Sequence, residues 1–234
     1  MNSIFWGEFL GTMVLIYLGN GVVANALLSK TKGNGTGLLA IAPAWAFAVT
    51  MGIFTATHFG SAGANLNPAV TIANATMSGD YTNVLPMITA QLLGAIAGAT
   101  LVWLQYKDHY AATEDKGLKL ATFSTGPAIK NKSQNFLSEF LASFIMGLVG
   151  GTLGSIQNGL GPFAVGLMIW AIGLSLGGTT GYAINPARDL GPRIAHAILP
   201  ISGKGDSDWG YAWIPVVGPI CGAIVGGLIA GLSQ

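Results

Sequence analysis

The sequence predicts an all-α membrane protein, on three observations. Hydrophobic residues fill 51 % of the 234 positions and charged residues only 8 %, against about 25 % charged in an ordinary soluble domain. No charge occurs between Gly33 and Gly79, between Tyr81 and Tyr106, between Phe140 and Ala187, or after Asp208, and intervals of that length hold several spans of roughly 20 residues. Finally, Asn-Pro-Ala stands twice, as Asn67-Pro68-Ala69 and Asn185-Pro186-Ala187, each time heading an apolar stretch too short to cross a bilayer.

Six spanning windows follow, at about 5–28, 38–59, 83–105, 136–156, 161–181 and 211–232. The first has neither a basic leading segment nor a small-residue cleavage site, so it reads as a retained helix and not as a signal peptide. The single cysteine, Cys221, lies inside the last window, which excludes an intrachain disulfide or a cysteine-metal framework. Glycines at four-residue spacing, such as Gly94-Gly98 and Gly222-Gly226, supply the small faces on which helices pack in lipid. His58, His109 and His196 have no metal-ligand spacing, and no cofactor, enzymatic chemistry or nucleic-acid partner is implied.

The chain also repeats itself. GEFLGTMVLIYLGNG opens the first window and SEFLASFIMGLVGGT the fourth, placing Glu8 and Glu139 at equivalent points, while QLLGAIAGA and PICGAIVGG pair the third with the sixth. Each half holds three spans and one short segment, and an odd number of crossings makes the halves enter the membrane from opposite sides. The expected organisation is a single channel domain, 1–234, with repeat one at about 1–106, a connection at about 107–134 and repeat two at about 135–234.

In each short segment the Asn is a good N-cap and the Pro suits the first helical position, where no backbone N–H is needed. Pro68 to Met77 is ten residues, about 15 Å at helical rise and so about half the hydrocarbon core. Two such half-helices entering from opposite faces meet at the midplane. The irregular runs before them, Ser61 to Leu66 and Gly178 to Ile184, must then be buried or line water. They predict a carbonyl-lined pore past Gly63, Ala64, Asn65, Gly181 and Ala183, with Asn67 and Asn185 capping through oxygen and offering N–H groups inward. Positive dipole ends at the meeting point disfavour cations and leave neutral solutes free to pass.

SAGANLNPAVT and GYAINPARDLGP, with the six-span pattern and the repeat glutamates, resemble the major intrinsic protein family over nearly the whole chain, specifically its aquaglyceroporin or glycerol facilitator branch. The resemblance implies an aquaporin-like bundle of six transmembrane helices plus two re-entrant half-helices, a homotetramer with one pore per subunit, and cytoplasmic termini. It also implies a selectivity filter at Phe47, Gly173, Tyr182 and Arg188, mapped by ungapped offset from the two motifs. Water-selective members usually carry His where Gly173 stands, and glycine leaves room for a carbon chain. Tyr106, Asp189, Arg193, Pro215 and Val216 fit the branch's marker positions, although Asp189 with Arg193 also reads as a local i,i+4 pair. One position departs from the family: Asn65 replaces the usual histidine, so titration near neutral pH is lost there.

Glu8 and Glu139 admit a proton-relay reading, but their duplication favours a structural one in which each accepts N–H groups of the irregular run in its own repeat. The basic residues fall in the odd-numbered connections, which taken alone would put the termini outside; the resemblance implies the opposite. Asn34-Gly-Thr and Asn131-Lys-Ser match glycosylation spacing and are assigned no role. The expected function is passive passage of glycerol, water and similar small uncharged solutes through a lipid bilayer, in a bacterial plasma membrane. The alternatives are a channel mainly for water or protonated lactic acid, and an ion-coupled secondary transporter.

Overall fold

The computed structural model describes residues 3–153, 156 and 159–232. The helices run in the order α1 (Ser3–Leu27), α2 (Leu38–His58), α3 (Pro68–Ser78), α4 (Val84–Gln105), α5 (Lys107–Ala112), α6 (Lys116–Ala121), α7 (Lys132–Thr152), α8 (Gly161–Leu176), α9 (Pro186–Ile198) and α10 (Ile214–Gly231). Residues 154 and 155, predicted at the end of the fourth window, lie outside the described residues. Among the described residues five helices, α1, α2, α4, α7 and α10, are long and apolar enough to cross a membrane. The predicted fifth window ends early, at Leu176, where Gly177 to Thr180 turn the chain into the irregular run. Its 16 residues still reach about 24 Å at helical rise.

The packing follows the repeat. α1 lies against α2 and α4, α7 against α8 and α10, and α2 meets α8 where the halves join. Each half-helix crosses to the other repeat: α3 packs on α10 and α9 on α4. Equivalent glycines close the two main seams. A Cβ added to Gly94 would stand 2.3 Å from the Phe9 carbonyl oxygen, and one added to Gly222 would stand 2.1 Å from that of Phe140. Such distances exclude any side chain, so helix backbones touch directly, which is the association device available in lipid. Large apolar side chains cover the outside, Leu39, Leu85 and Leu167 among them.

The connection between the repeats is more ordered than a plain polar loop. Asp115 caps α6 by accepting from the backbone N–H groups of Gly117 and Leu118, the arrangement that satisfies a helix's first free donors. Beyond α6 the chain dives inward, and Phe123 is fully buried.

Candidate pore and constriction

The two Asn-Pro-Ala motifs meet. Asn67 Oδ1 accepts from Ala69 N (2.9 Å), and its Nδ2 donates across to the Ile184 carbonyl (2.9 Å). Asn185 mirrors this, accepting from Ala187 N (2.9 Å) and Arg188 N (3.2 Å) while donating to the Leu66 carbonyl (2.8 Å). Each amide therefore caps its own half-helix and ties it to the opposite repeat. An amide nitrogen carries two N–H groups, so one of each is spent on the cross-link, a use that motif spacing alone does not reveal.

The irregular runs obtain much of their shape from residues other than glycine, Gly181 with φ 81° aside. Ala64, Leu66, Tyr182 and Ile184 have φ of 39°, 53°, 39° and 43°, each a left-handed conformation that costs an L-residue roughly 1–2 kcal/mol. The positions correspond between repeats, and the carboxylates hold them. Glu8 accepts from Ser61 Oγ (2.6 Å), Asn65 N (2.9 Å), Leu66 N (2.8 Å) and Gln91 Nε2 (2.8 Å). Glu139 accepts from Thr180 Oγ1 (2.6 Å), Ala183 N (3.0 Å) and Ile184 N (2.9 Å). Both carboxylates are fully buried, and charge-assisted bonds of this kind offset the backbone strain.

A cavity of ≈ 730 Å³ runs past both motifs. Gly63, Ala64, Asn65 and Ala183 line it with Asn67, Asn185 and Arg188, and so do the aliphatic Val49, Ile53, Val165 and Ile169. The predicted liner Gly181 instead stands behind the wall, where an added Cβ would touch Thr125 at 3.3 Å. A lumen that mixes polar and aliphatic lining replaces the hydration of a hydroxyl while accepting its carbon neighbour.

Arg188 lines the same cavity. Its Nη1 donates to Asn20 Oδ1 and to the Phe123 carbonyl, both at 3.3 Å, and its guanidinium carbon lies 4.1 Å from the centroid of the Trp45 ring. The aromatic partner is thus Trp45, which is buried and lines the cavity. The predicted Phe47 is 61 % exposed and faces outward against Trp170. Two residues along a helix rotate the side chain by about 200°, enough to exchange the lumen for the lipid face. Tyr182 supplies the second aromatic and lines the cavity. Gly173 makes room for it, since a Cβ there would lie 2.9 Å from the Tyr182 ring.

A family model described as "Major intrinsic protein" matches residues 3–230. The chain belongs to the major intrinsic protein family. Among its relatives in this family, the "Glycerol uptake facilitator protein" of Streptococcus pneumoniae is 57 % identical over 94 % of this chain and 94 % of its own length. The "Probable glycerol uptake facilitator protein" of Thermotoga maritima is 49 % identical over 93 % of this chain and 94 % of its own. The X-ray structure of the aquaglyceroporin from Plasmodium falciparum superposes with a TM-score of 0.84 at 30 % identity, covering 97 % of this chain and 94 % of that one. This member of the major intrinsic protein family is an integral membrane channel with the aquaporin-like fold.

Asp189 and Arg193 form more than a local pair in this family member. Both are fully buried, with Arg193 Nη2 at 2.8 Å from Asp189 Oδ1. Asp189 Oδ2 accepts from Thr125 N (2.7 Å) and Thr125 Oγ1 (2.8 Å), while Arg193 donates to the carbonyls of Thr125 (2.9 Å) and Ser207 (2.7 Å). The pair pins two loops onto α9 next to Arg188. The other marker positions lie away from the lumen: Tyr106 ends α4 with its ring on His109, and Pro215 with Val216 stands in the first turn of α10.

Proposed function

We propose that this chain is a passive channel for glycerol and other small uncharged solutes, with water permeability and exclusion of ions and protons. The observation that carries the reading is the constriction. Arg188 presents N–H donors beside the apolar ring surfaces of Trp45, which packs against its guanidinium, and of Tyr182, a pairing matched to a polyol with hydroxyls on one edge and CH groups on the other. The names of the relatives support glycerol as the first solute. The two repeats act as one channel domain with its selectivity filter at Trp45, Tyr182 and Arg188, Gly173 giving Tyr182 its place.

A proton- or ion-coupled transporter needs an ionisable group facing the path. Glu8 and Glu139 do not line the cavity, and their oxygens are occupied by hydrogen bonds. The protein works as a homotetramer in a bacterial plasma membrane with cytoplasmic termini, on the strength of the family resemblance, and needs no cofactor.

Stopped-flow light scattering on proteoliposomes tests this. A glycerol gradient should give fast reswelling that ignores an imposed proton gradient. Water flux without glycerol flux would move the chain to a water channel, and dependence on the proton gradient would overturn the passive reading.

A further inference from the structure

Half-helix α3 turns Asn67, Val70, Asn74 and Met77 toward the cavity, the stripe expected of one helix face. Asn74 is seven residues beyond Asn67, about 10 Å along the axis, on the side of the motifs away from Arg188. Its Nδ2 donates to Asn65 Oδ1 at 3.2 Å, and Asn65 Nδ2 donates to Thr71 Oγ1 at 3.2 Å.

The direction of this chain of bonds follows from where the Thr71 hydroxyl sends its proton. The hydroxyl of Thr71 has a single proton, which goes to the Asn67 carbonyl at 3.0 Å. It can therefore only accept from Gln91 Nε2 at 2.9 Å and from Asn65. Gln91 in turn must present nitrogen, because the same Nε2 donates to the Glu8 carboxylate at 2.8 Å. Asn65 then has to turn Nδ2 toward Thr71 and Oδ1 toward Asn74, and Asn74 has to answer with Nδ2. Its own Oδ1 has no partner among the described residues, and Asn74 is exposed to the cavity.

We propose that Asn74, oriented through Asn65 and Thr71, is a hydroxyl-accepting station of the lumen, complementary to the donor group Arg188 at the far end. The inference rests on the glycerol-channel reading and deepens it by naming a second place where a polyol hydroxyl is recognised. A hydroxyl leaving the donors of Arg188 as acceptor must regain an acceptor for its own proton, and the Asn74 oxygen supplies one where the backbone carbonyls of the runs have ended.

The test uses Asn74→Leu, which keeps the number and branching of side-chain heavy atoms and removes the acceptor, beside Asn74→Ala, which widens the lumen. Glycerol and water permeabilities are measured in proteoliposomes per folded protein. Loss of one hydrogen bond predicts a roughly three- to tenfold fall in glycerol permeability in both variants, with water in Asn74→Leu changing less than about twofold. Wild-type glycerol flux in Asn74→Leu would overturn the station. Equal loss of glycerol and water in that variant, or full glycerol flux in Asn74→Ala alone, would also overturn it by pointing to pore width. Absence of glycerol flux in the unsubstituted protein would instead remove the channel reading itself.

Discussion

The two repeats share a frame and differ in what is mounted on it. Where repeat two has Arg188, Asp189, Pro192 and Arg193, repeat one has Val70, Thr71, Asn74 and Ala75 at the same distances from its motif. Where repeat one has Gln91 joining Glu8 to Thr71, repeat two has Pro219. Even the ends of the half-helices differ. α3 stops on Gly79 with φ 74°, whereas α9 is closed by Lys204, whose Nζ donates to the carbonyls of His196, Ala197 and Leu199 at 2.6–2.7 Å. The frame requires the Asn-Pro cap and the buried glutamate in both halves. The remaining positions were free to become a donor-bearing, loop-anchored half and an amide-bearing one.

If the charge pair is what anchors repeat two's loops, removing one partner should do most harm. Arg193→Met leaves Asp189 charged, buried and short of a partner, a situation that costs about 3–5 kcal/mol. The thermal midpoint of the detergent-solubilised protein should fall sharply. The equivalent change in repeat one, Ala75→Met, removes no charge pair, so an equal loss from both variants would mean that packing alone explains the effect.

A smaller loss is expected from the element the repeats share. Glu139→Gln turns one acceptor oxygen into a donor facing backbone N–H groups of the 183–184 run, orphaning at least one at about 1–3 kcal/mol. Folded yield should drop while transport per folded protein stays near wild type. Normal yield with abolished flux would assign Glu139 to the transport path and revive the transporter reading. Glu8→Gln should cost at least as much, because Glu8 accepts one bond more, from Gln91.

Replacing Arg188 with Val, the residue repeat one uses, sharpens the comparison at the constriction. The cation that deters other cations and the donors that meet hydroxyls both disappear. Permeability to a five-carbon polyol and to small cations should rise relative to glycerol, by about tenfold for loss of a charged hydrogen-bonding group. Unchanged selectivity would remove Arg188 from the filter.

What could be read in advance divides by range. Span positions, the half-helices and their caps follow from apolar length, Asn-Pro spacing and duplication, all local patterns, and the helix boundaries agree within a few residues. Contacts between distant segments left a trace only where the duplication doubled them, as with the two glutamates and the runs they hold. Thr125 lies 64 residues from the Asp189 it binds, so an i,i+4 spacing exposes the ion pair but not the loop it holds. The left-handed backbone at Leu66 and Ile184 was hidden because neither is glycine; at both, a buried carboxylate from another helix accepts the residue's own N–H. The Asn65–Asn74 bond was hidden for a third reason. Nine residues separate the two, one in an irregular run and one on a helix, so no single period relates them.

The constriction's aromatic offers the smallest and sharpest test. Trp45 and Phe47 sit two residues apart, one buried over Arg188 and the other on the outer surface. Counting from the motifs selects Phe47, because an offset carries no information about helix phase. Trp45→Leu removes the ring face that supports the guanidinium, a contact of about 1–2 kcal/mol where desolvated, and should lower glycerol selectivity severalfold. Phe47→Leu exchanges one apolar surface side chain for another and should leave glycerol and water permeability within about twofold, with stability changed by no more than about 0.5 kcal/mol. The reverse ranking in proteoliposome flux would mean that α2 is rotated by about half a turn in the membrane, and the assignment of the filter would fall with it.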